Sequence, residues 1–311
     1  MDVTTAKAIS MIVLGLGSFI VGMIPACISQ NARQRHPLLI SCLLCFGGGV
    51  LLSTSLLHIL PEAREKLPKY SELLLCAGFF LVYVVDEIVH FFYGTNENER
   101  GHMRNYGTVE ETSLLVTRSG DAEMRERCCG DTGNPRMCHV SHTEPCNKSS
   151  SGIIGLLCAL FVHSLLEGLA IGLQESASQV MLLLAAVASH KFVVGFCLGA
   201  ELCASAAGRL CAHIACVALF SGGSAGGIAL GAVLDNVSVL NDSLAVPIMQ
   251  SLAAGTLLYV TVSEVLPRER ARWHERKRGA GMAQFVAVVV GFVLMYLSTM
   301  YLGKFYKNLC I

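Results

Sequence analysis

The sequence has few charged side chains and no excess of either sign. Charged residues make up 15% of its 311 residues, and 23 Lys and Arg side chains balance 23 Asp and Glu side chains. A chain without net charge offers no overall field for nucleic acid or for an acidic substrate. Hydrophobic residues instead make up 53% of the chain, and its mean hydropathy is +0.56. This composition argues against a water-soluble domain and predicts an all-α integral membrane protein in a lipid bilayer.

Apolar runs long enough to cross about 30 Å of hydrocarbon occur eight times. They lie near residues 8–30, 38–60, 71–93, 152–173, 178–203, 209–233, 243–266 and 281–303. The sequence therefore predicts eight transmembrane helices. They are divided into a segment of three helices (1–93), a polar loop (94–150) and a segment of five helices (151–311).

The basic residues indicate the orientation of the chain. Of the 23 Lys and Arg side chains, 16 lie in the loops of one face and only six on the other. By the positive-inside rule, the face with the basic loops is cytoplasmic. We therefore expect both termini to be extracellular and the polar loop 94–150 to be a flexible cytoplasmic segment.

The second and seventh spans resemble each other at a constant offset of 206 residues. Residues 49–52 (Gly-Val-Leu-Leu) match residues 255–258 (Gly-Thr-Leu-Leu), His58 matches Glu264, and a Leu-Pro pair follows in both spans. Because an even-numbered and an odd-numbered span cross the membrane in opposite directions, the match predicts an inverted repeat. In a 3+2+3 arrangement, helices four and five would lie between the repeats. Small-residue and Leu-Pro patterns are common in membrane helices, so chance is the alternative.

Helices four and five carry the most unusual side chains for a membrane interior. His163 and Glu167 are four residues apart and share one helical face, and His190 falls at a similar depth on the next helix. A charged side chain at mid-membrane costs about 2.5 to 3.5 kcal/mol on insertion scales, so Glu167 and Lys191 should face partners inside the bundle. Two imidazoles and one carboxylate suit zinc and leave one coordination position open. The alternative is a Glu167–Lys191 ion pair beside hydrogen-bonded core histidines.

The run His163-Ser164-x-x-Glu167-Gly168, together with His190-Lys191, resembles the signature of the ZIP (Zrt-, Irt-like) metal transporters. The resemblance extends over nearly the whole chain and is closest to the branch of plasma-membrane zinc importers. It implies zinc import into the cytosol by an elevator-type carrier, in which a mobile group of helices slides against a scaffold. It also implies that His163, Glu167 and His190 are metal ligands, with Ser164 beside them, and that the transported zinc is the only metal required.

One part of the chain departs from that family pattern. Many ZIP proteins hold two adjacent metals by means of acidic residues on the fifth helix, at positions that Lys191 and Val194 occupy here. An ammonium group at the place of a second cation predicts a single transported ion, with Lys191 paired to Glu167. An N/O ligand set does not choose among zinc, iron, manganese and cadmium, so carriage of one of the other metals stays open.

Further polar residues near the helix ends suggest a path to and from the central site. Ionisable groups within spans commonly line ion pathways. The candidates are His58, Glu62, Asp86, Glu87 and Glu264. For Glu62, which follows a proline next to a basic loop, an interfacial position is an equal alternative.

The loops carry short motifs of lower specificity. Glu110, Leu114 and Leu115 form an acidic dileucine pattern, which predicts an endocytic adaptor as a partner. The resemblance to the zinc importers implies the plasma membrane as the location, with an intracellular vesicle membrane as the alternative. The Cys and His residues between 128 and 146 match no zinc-finger spacing, so metal capture there stays open. Asn236 and Asn241 are formal glycosylation acceptors in a short outer loop.

Two other functional classes fit the sequence less well. An intramembrane metalloprotease would need His-Glu-x-x-His, with the Glu as general base, and the chain has no such run. A receptor for an organic ligand would favour a cleft among seven helices over eight helices with metal-ligating side chains. The sequence therefore predicts a carrier rather than an enzyme. It leaves the oligomeric state open, with a homodimer as the candidate assembly.

Overall fold

The computed structural model describes residues 1–28, 37–93, 150–205, 210–235, 244–273 and 279–309. In these ranges the chain forms eight helices that are long and apolar enough to span a bilayer, which confirms the predicted helical membrane fold. Several sequence predictions lie outside the described residues. They are those for the polar loop up to residue 149, the dileucine pattern at Glu110, Leu114 and Leu115, and the acceptors Asn236 and Asn241.

The eight helices follow the apolar runs closely, because in hydrocarbon every backbone polar group must be paired within the protein. The first helix begins after Asp2, whose carboxylate accepts a hydrogen bond from the Val3 amide at 2.8 Å. We label the eight helices in chain order as α1 (Val3–Cys27), α2 (Pro37–Lys66), α3 (Ser71–Tyr93), α4 (Ser150–Gly172), α5 (Ala177–Ser205), α6 (Leu210–Asp235), α7 (residues 245–273) and α8 (Ala280–Leu309).

Helices α2 and α7 share an irregularity. Each contains a six-residue π-helical segment, Thr54–Ile59 in α2 and Val260–Val265 in α7. These segments lie at the same offset of 206 residues as the sequence match, and they contain the matched residues His58 and Glu264. A π segment is rare in helices and is often found at functional sites. The two spans are therefore alike in local structure as well as in sequence, and the inverted repeat stays a prediction.

The helices pack as two groups of four. In the α4 group (α1, α4, α5 and α6), α4 packs along α6, and α1 packs along α5 and α6. In the α7 group (α2, α3, α7 and α8), α2 packs along α8 and α3 along α7. Contacts between the groups are fewer and run mainly from α4 to α3 and α7 and from α5 to α2. The boundary between the groups therefore passes beside α4 and α5, the helices with the predicted ligands.

Small residues bring α4 and α6 into close contact. A Cβ atom added to Gly168 would lie 2.9 Å from the Cα of Gly227, and one added to Gly172 would lie 2.8 Å from the Cα of Gly231. Faces of this kind allow helix backbones to approach closely in membranes. The α4 helix is thus firmly attached to its own group.

Candidate metal centre

Helices α4 and α5 bring His163, Glu167 and His190 together in the interior. The Nε2 atoms of His163 and His190 lie 3.2 Å and 2.6 Å from the same Glu167 oxygen, Oε1. One ligand atom from each residue can be chosen so that all three lie within 4.8 Å of one another. None of the three residues is more than 4% exposed. The structure thus forms the cluster that the sequence predicts.

The α7 helix fixes the ring of His163. Its Nδ1 atom lies 3.1 Å from the carbonyl oxygen of Ala253 and 3.1 Å from the hydroxyl oxygen of Thr256. Because a carbonyl oxygen can only accept a hydrogen bond, Nδ1 carries the proton of the neutral ring. The lone pair of Nε2 is then directed into the cluster, the arrangement that metal-ligating histidines usually show. This support could not be predicted from the sequence, because every residue has a backbone carbonyl.

Unpaired polar atoms within the cluster fit a metal-binding role for its residues. His163 Nε2, Glu167 Oε2 and His190 Nδ1 are buried and have no hydrogen-bond partner among the described residues. Buried polar atoms are normally paired, and an exception in a native structure calls for an explanation such as a missing ion. A cation between the two histidines and the carboxylate would provide a partner for His163 Nε2.

The Lys191 ammonium group lies next to this cluster and is only 1% exposed. Its Nζ atom lies 3.6 Å from Glu167 Oε2, donates a hydrogen bond to Ser164 Oγ at 2.9 Å, and sits 4.6 Å from the ring centroid of Phe220. The predicted contact between Lys191 and Glu167 is thus present. Because the Ser164 hydroxyl accepts from Lys191, a ligand role for Ser164 stays a prediction.

A cavity of about 340 Å³ reaches the cluster from one side, and we call it the His58 cavity. Glu167 and His190 line one part of it, and His58, Glu62 and Gln250 line another. The Gln250 amide donates to Glu62 Oε1 at 3.4 Å. The predicted path residues His58 and Glu62 therefore line a cavity that also touches the cluster. The structure adds Gln250 to this wall, and its amide side chain within a predicted span was the signal available in the sequence.

A second cavity of about 420 Å³, the Glu264 cavity, has acidic residues and one arginine in its wall. Glu201, Glu264 and Glu269 line it together with Arg268. None of the three candidate metal ligands lines it. Leu160 and Val194 do, and they lie one helical turn from His163 and His190 respectively. Apolar side chains thus separate this cavity from the cluster.

The acidic pair on α3 divides between two environments. Asp86 accepts a hydrogen bond from the Tyr259 hydroxyl at 3.0 Å and so packs against α7. Glu87 is exposed and lines neither of the two cavities. Adjacent residues on a helix point in directions about 100° apart, and on α3 this turns Asp86 towards α7 and Glu87 towards the surface. A pathway role for Glu87 has no support from its position.

Comparison with known proteins gives a consistent result over the whole chain. The family model described as ZIP Zinc transporter matches residues 4–299. The chain is 29% identical to mouse (Mus musculus) "Zinc transporter ZIP1" over 305 residues, which covers 92% of this chain and 88% of that protein. It is 28% identical to bovine (Bos taurus) "Zinc transporter ZIP3" over 322 residues, with 93% and 96% covered. It is 27% identical to mouse "Zinc transporter ZIP2" over 331 residues, with 94% and 96% covered.

Proposed function

The chain belongs to the ZIP zinc transporter family, and from that premise we propose that it imports zinc into the cytosol through His163, Glu167 and His190. Members of this family are transporters, so the chain is a carrier and not an enzyme, and zinc is its substrate rather than a cofactor. The observation that carries the proposal is the convergence of two buried imidazoles on one buried carboxylate oxygen.

The chemistry of the cluster suits transient binding of one ion. Neutral imidazole nitrogens and a carboxylate oxygen are common zinc ligands, and three protein ligands leave a position for water or for the next ligand on the path. Because an ion enclosed by four strong protein ligands resembles a structural site, the open position favours release. The Lys191 ammonium near Glu167 disfavours a second cation at the same place, so we propose one zinc ion per cycle.

The two cavities supply an entrance and an exit. The His58 cavity touches Glu167 and His190, whereas apolar side chains separate the cluster from the Glu264 cavity. The positive-inside rule assigns the His58 end of α2 to the extracellular face. The described conformation would then be open to the outside and closed to the cytosol, with Glu264 on the exit side.

The packing of the helices supports an elevator-type movement. All three proposed ligands belong to the α4 group. The α7 group contributes Ala253 and Thr256, whose oxygen atoms hold the ring of His163. A metal held by the α4 group can therefore move relative to the α7 group without exchanging its protein ligands. We propose that the α4 group carries the ion and that the α7 group is the scaffold.

Zinc flux through the purified protein tests this function directly. Proteoliposomes that contain the full chain and a trapped zinc-sensitive dye should show saturable zinc entry above that of empty liposomes. Competition by cadmium, iron(II) and manganese would rank these ions and decide among the alternative substrates. Entry no faster than into empty liposomes would contradict transport, and zinc loss rather than gain in cells with the protein at their surface would contradict import.

Surface labelling of the full chain in animal cells tests the proposed location. We place the protein in the plasma membrane because its zinc source would then be extracellular. Protein found only in intracellular vesicles would favour the vesicle membrane as its location. A homodimer and an adaptor at the dileucine pattern stay predictions.

The hydrogen bond from α7 to His163 leads to a smaller expected effect. In Thr256→Val, His163 Nδ1 keeps the Ala253 carbonyl but loses the hydroxyl 3.1 Å away. Loss of an outer-shell partner typically weakens metal binding by about 10- to 100-fold, and with one partner kept we expect about tenfold at most. The matched control is Ser251→Ala, because this buried hydroxyl on the same helix donates only to the Pro247 carbonyl. The zinc concentration that gives half-maximal entry is measured for both variants. Equal values for Thr256→Val and Ser251→Ala would contradict the support role of Thr256.

A further inference from the structure

Arg268 connects the two helix groups at the Glu264 cavity. This α7 residue donates from Nη2 to the carbonyl oxygen of Gly152 on α4 at 2.7 Å. Its Nη1 atom lies 3.8 Å from Glu201 Oε1 on α5, and it also pairs with Glu264 on its own helix. One guanidinium group therefore holds α4 and α5, both of the α4 group, against α7.

The local structure favours this triple contact. The Arg268 side chain is 16% exposed and those of Glu201 and Glu264 are 11% and 10% exposed, so solvent screens the charges less than at an open surface. A planar guanidinium presents five donors in a fixed fork and can bind several acceptors at once, which a lysine ammonium does less well. Gly152 permits the approach, since a Cβ atom there would lie 3.0 Å from Arg268 Nη2.

The contact lies where relative movement of the groups would act on it. A shift of the α4 group by a few ångströms must break the bond to Gly152 and the pair with Glu201, whereas the pair with Glu264 moves with α7. The Arg64–Glu72 pair differs, because it joins α2 to α3 within the α7 group and its side chains are about half exposed.

We propose that Arg268 is a latch that keeps the metal cluster separated from the Glu264 cavity by tying α4 and α5 to α7, and that zinc release requires this latch to open. The proposal rests on the transport function proposed above. The acidic partners also explain how an ion could assist: a cation arriving at Glu201 and Glu264 competes with the guanidinium for the same carboxylates. The latch is therefore weakest when cargo is present on the exit side.

Cys197 provides a readout for the state of the latch. This α5 thiol is 7% exposed and lines the Glu264 cavity, whereas Cys211 of α6 is exposed and lies outside its lining. The full chain, purified in detergent, would be treated with a maleimide, and labelling of each cysteine would be followed by peptide mass spectrometry. In Arg268→Gln we expect Cys197 to react about tenfold faster, which corresponds to about 1.4 kcal/mol of lost preference for the closed state. Cys211 should react at an unchanged rate.

Matched variants separate a latch from a general stabilising role. Arg64→Gln removes an Arg–Glu pair within one group and should leave Cys197 unchanged. Arg268→Lys keeps the positive charge but lacks the forked donors of the guanidinium, so Cys197 should be labelled at an intermediate rate. Glu201→Gln weakens the pair with Arg268 and keeps the hydrogen bond from Arg268 to Gly152, so it continues the test if Arg268→Gln fails to fold. An unchanged Cys197 rate in Arg268→Gln and Glu201→Gln would overturn the latch. Equal acceleration at Cys197 and Cys211 would also overturn it, because it indicates general loosening.

Failure of the latch and failure of the proposed function give different results. Maleimide labelling requires no metal flux, so a wild type that carries no zinc in proteoliposomes would overturn the transport proposal and still give a labelling result. An active wild type with unchanged Cys197 labelling in Arg268→Gln would overturn only the latch.

Discussion

Zinc uptake by cells that express Glu167→Gln is expected to fall to the background of cells without the protein. Glu167 Oε1 is the oxygen shared by both imidazoles, at 3.2 Å and 2.6 Å, and Gln keeps its size while removing the anionic ligand. Loss of even an outer-shell partner of a metal can cost about 10- to 100-fold in affinity, so loss of a ligand should cost more than about 100-fold. The substitution also leaves the Lys191 ammonium without its carboxylate partner at 3.6 Å.

Radioactive zinc uptake, normalised to the amount of protein at the cell surface, measures this effect. His163→Ala and His190→Ala should give the same loss, because each removes one proposed ligand. Glu72→Gln is the matched control, since that carboxylate is about half exposed and pairs with Arg64 away from the cluster. Normal uptake by a Glu167→Gln protein that reaches the surface would show that the cluster is structural and that the metal takes another route.

Gly227→Val is expected to prevent normal assembly, whereas Gly226→Val should not. A Cβ atom at Gly227 would lie 2.9 Å from Gly168 Cα and 3.0 Å from the Leu169 nitrogen, while at Gly226 no atom lies within 4 Å. Overpacking of a well-packed core usually costs about 1 to 3 kcal/mol, and the cost should be at the upper end here because the opposing atoms belong to backbone. The α4 helix would be pushed away from α6, and its ligands with it.

The yield of monodisperse protein after detergent extraction, and its melting temperature, compare the two valine variants. The comparison is well controlled, because neighbouring glycines of one helix receive the same side chain. If both variants extract and melt like the wild type, the close contact between α4 and α6 is wrong.

The sequence predicted the features that depend on strong local signals. The eight spans follow from long apolar runs, because an apolar helix of about 20 residues matches the hydrocarbon core of a bilayer. The cluster of His163, Glu167 and His190 follows from the cost of placing ionisable groups in a membrane without partners. Lys191 was expected near Glu167 for the same reason, and the structure places it there.

Features that depend on tertiary packing could not be predicted in the same way. Support of His163 by the Ala253 carbonyl involves a backbone atom that every residue possesses. The membership of α1 in the α4 group depends on which faces meet, and an apolar helix in a bilayer shows little amphipathic pattern from which to infer this. The position of Glu87 depended on the rotation of α3, which its mostly apolar sequence fixes poorly.

The buried pair of Glu167 and Lys191 determines how the membrane voltage would act on the carrier. Their charges cancel, so with neutral imidazoles the empty centre has no net charge, whereas the zinc-loaded centre carries two positive charges. The membrane potential contributes about 2.3 kcal/mol per charge for each 100 mV. A negative cytosol would therefore pull the loaded centre inward, whereas the empty centre carries no net charge on which the voltage could act during its return.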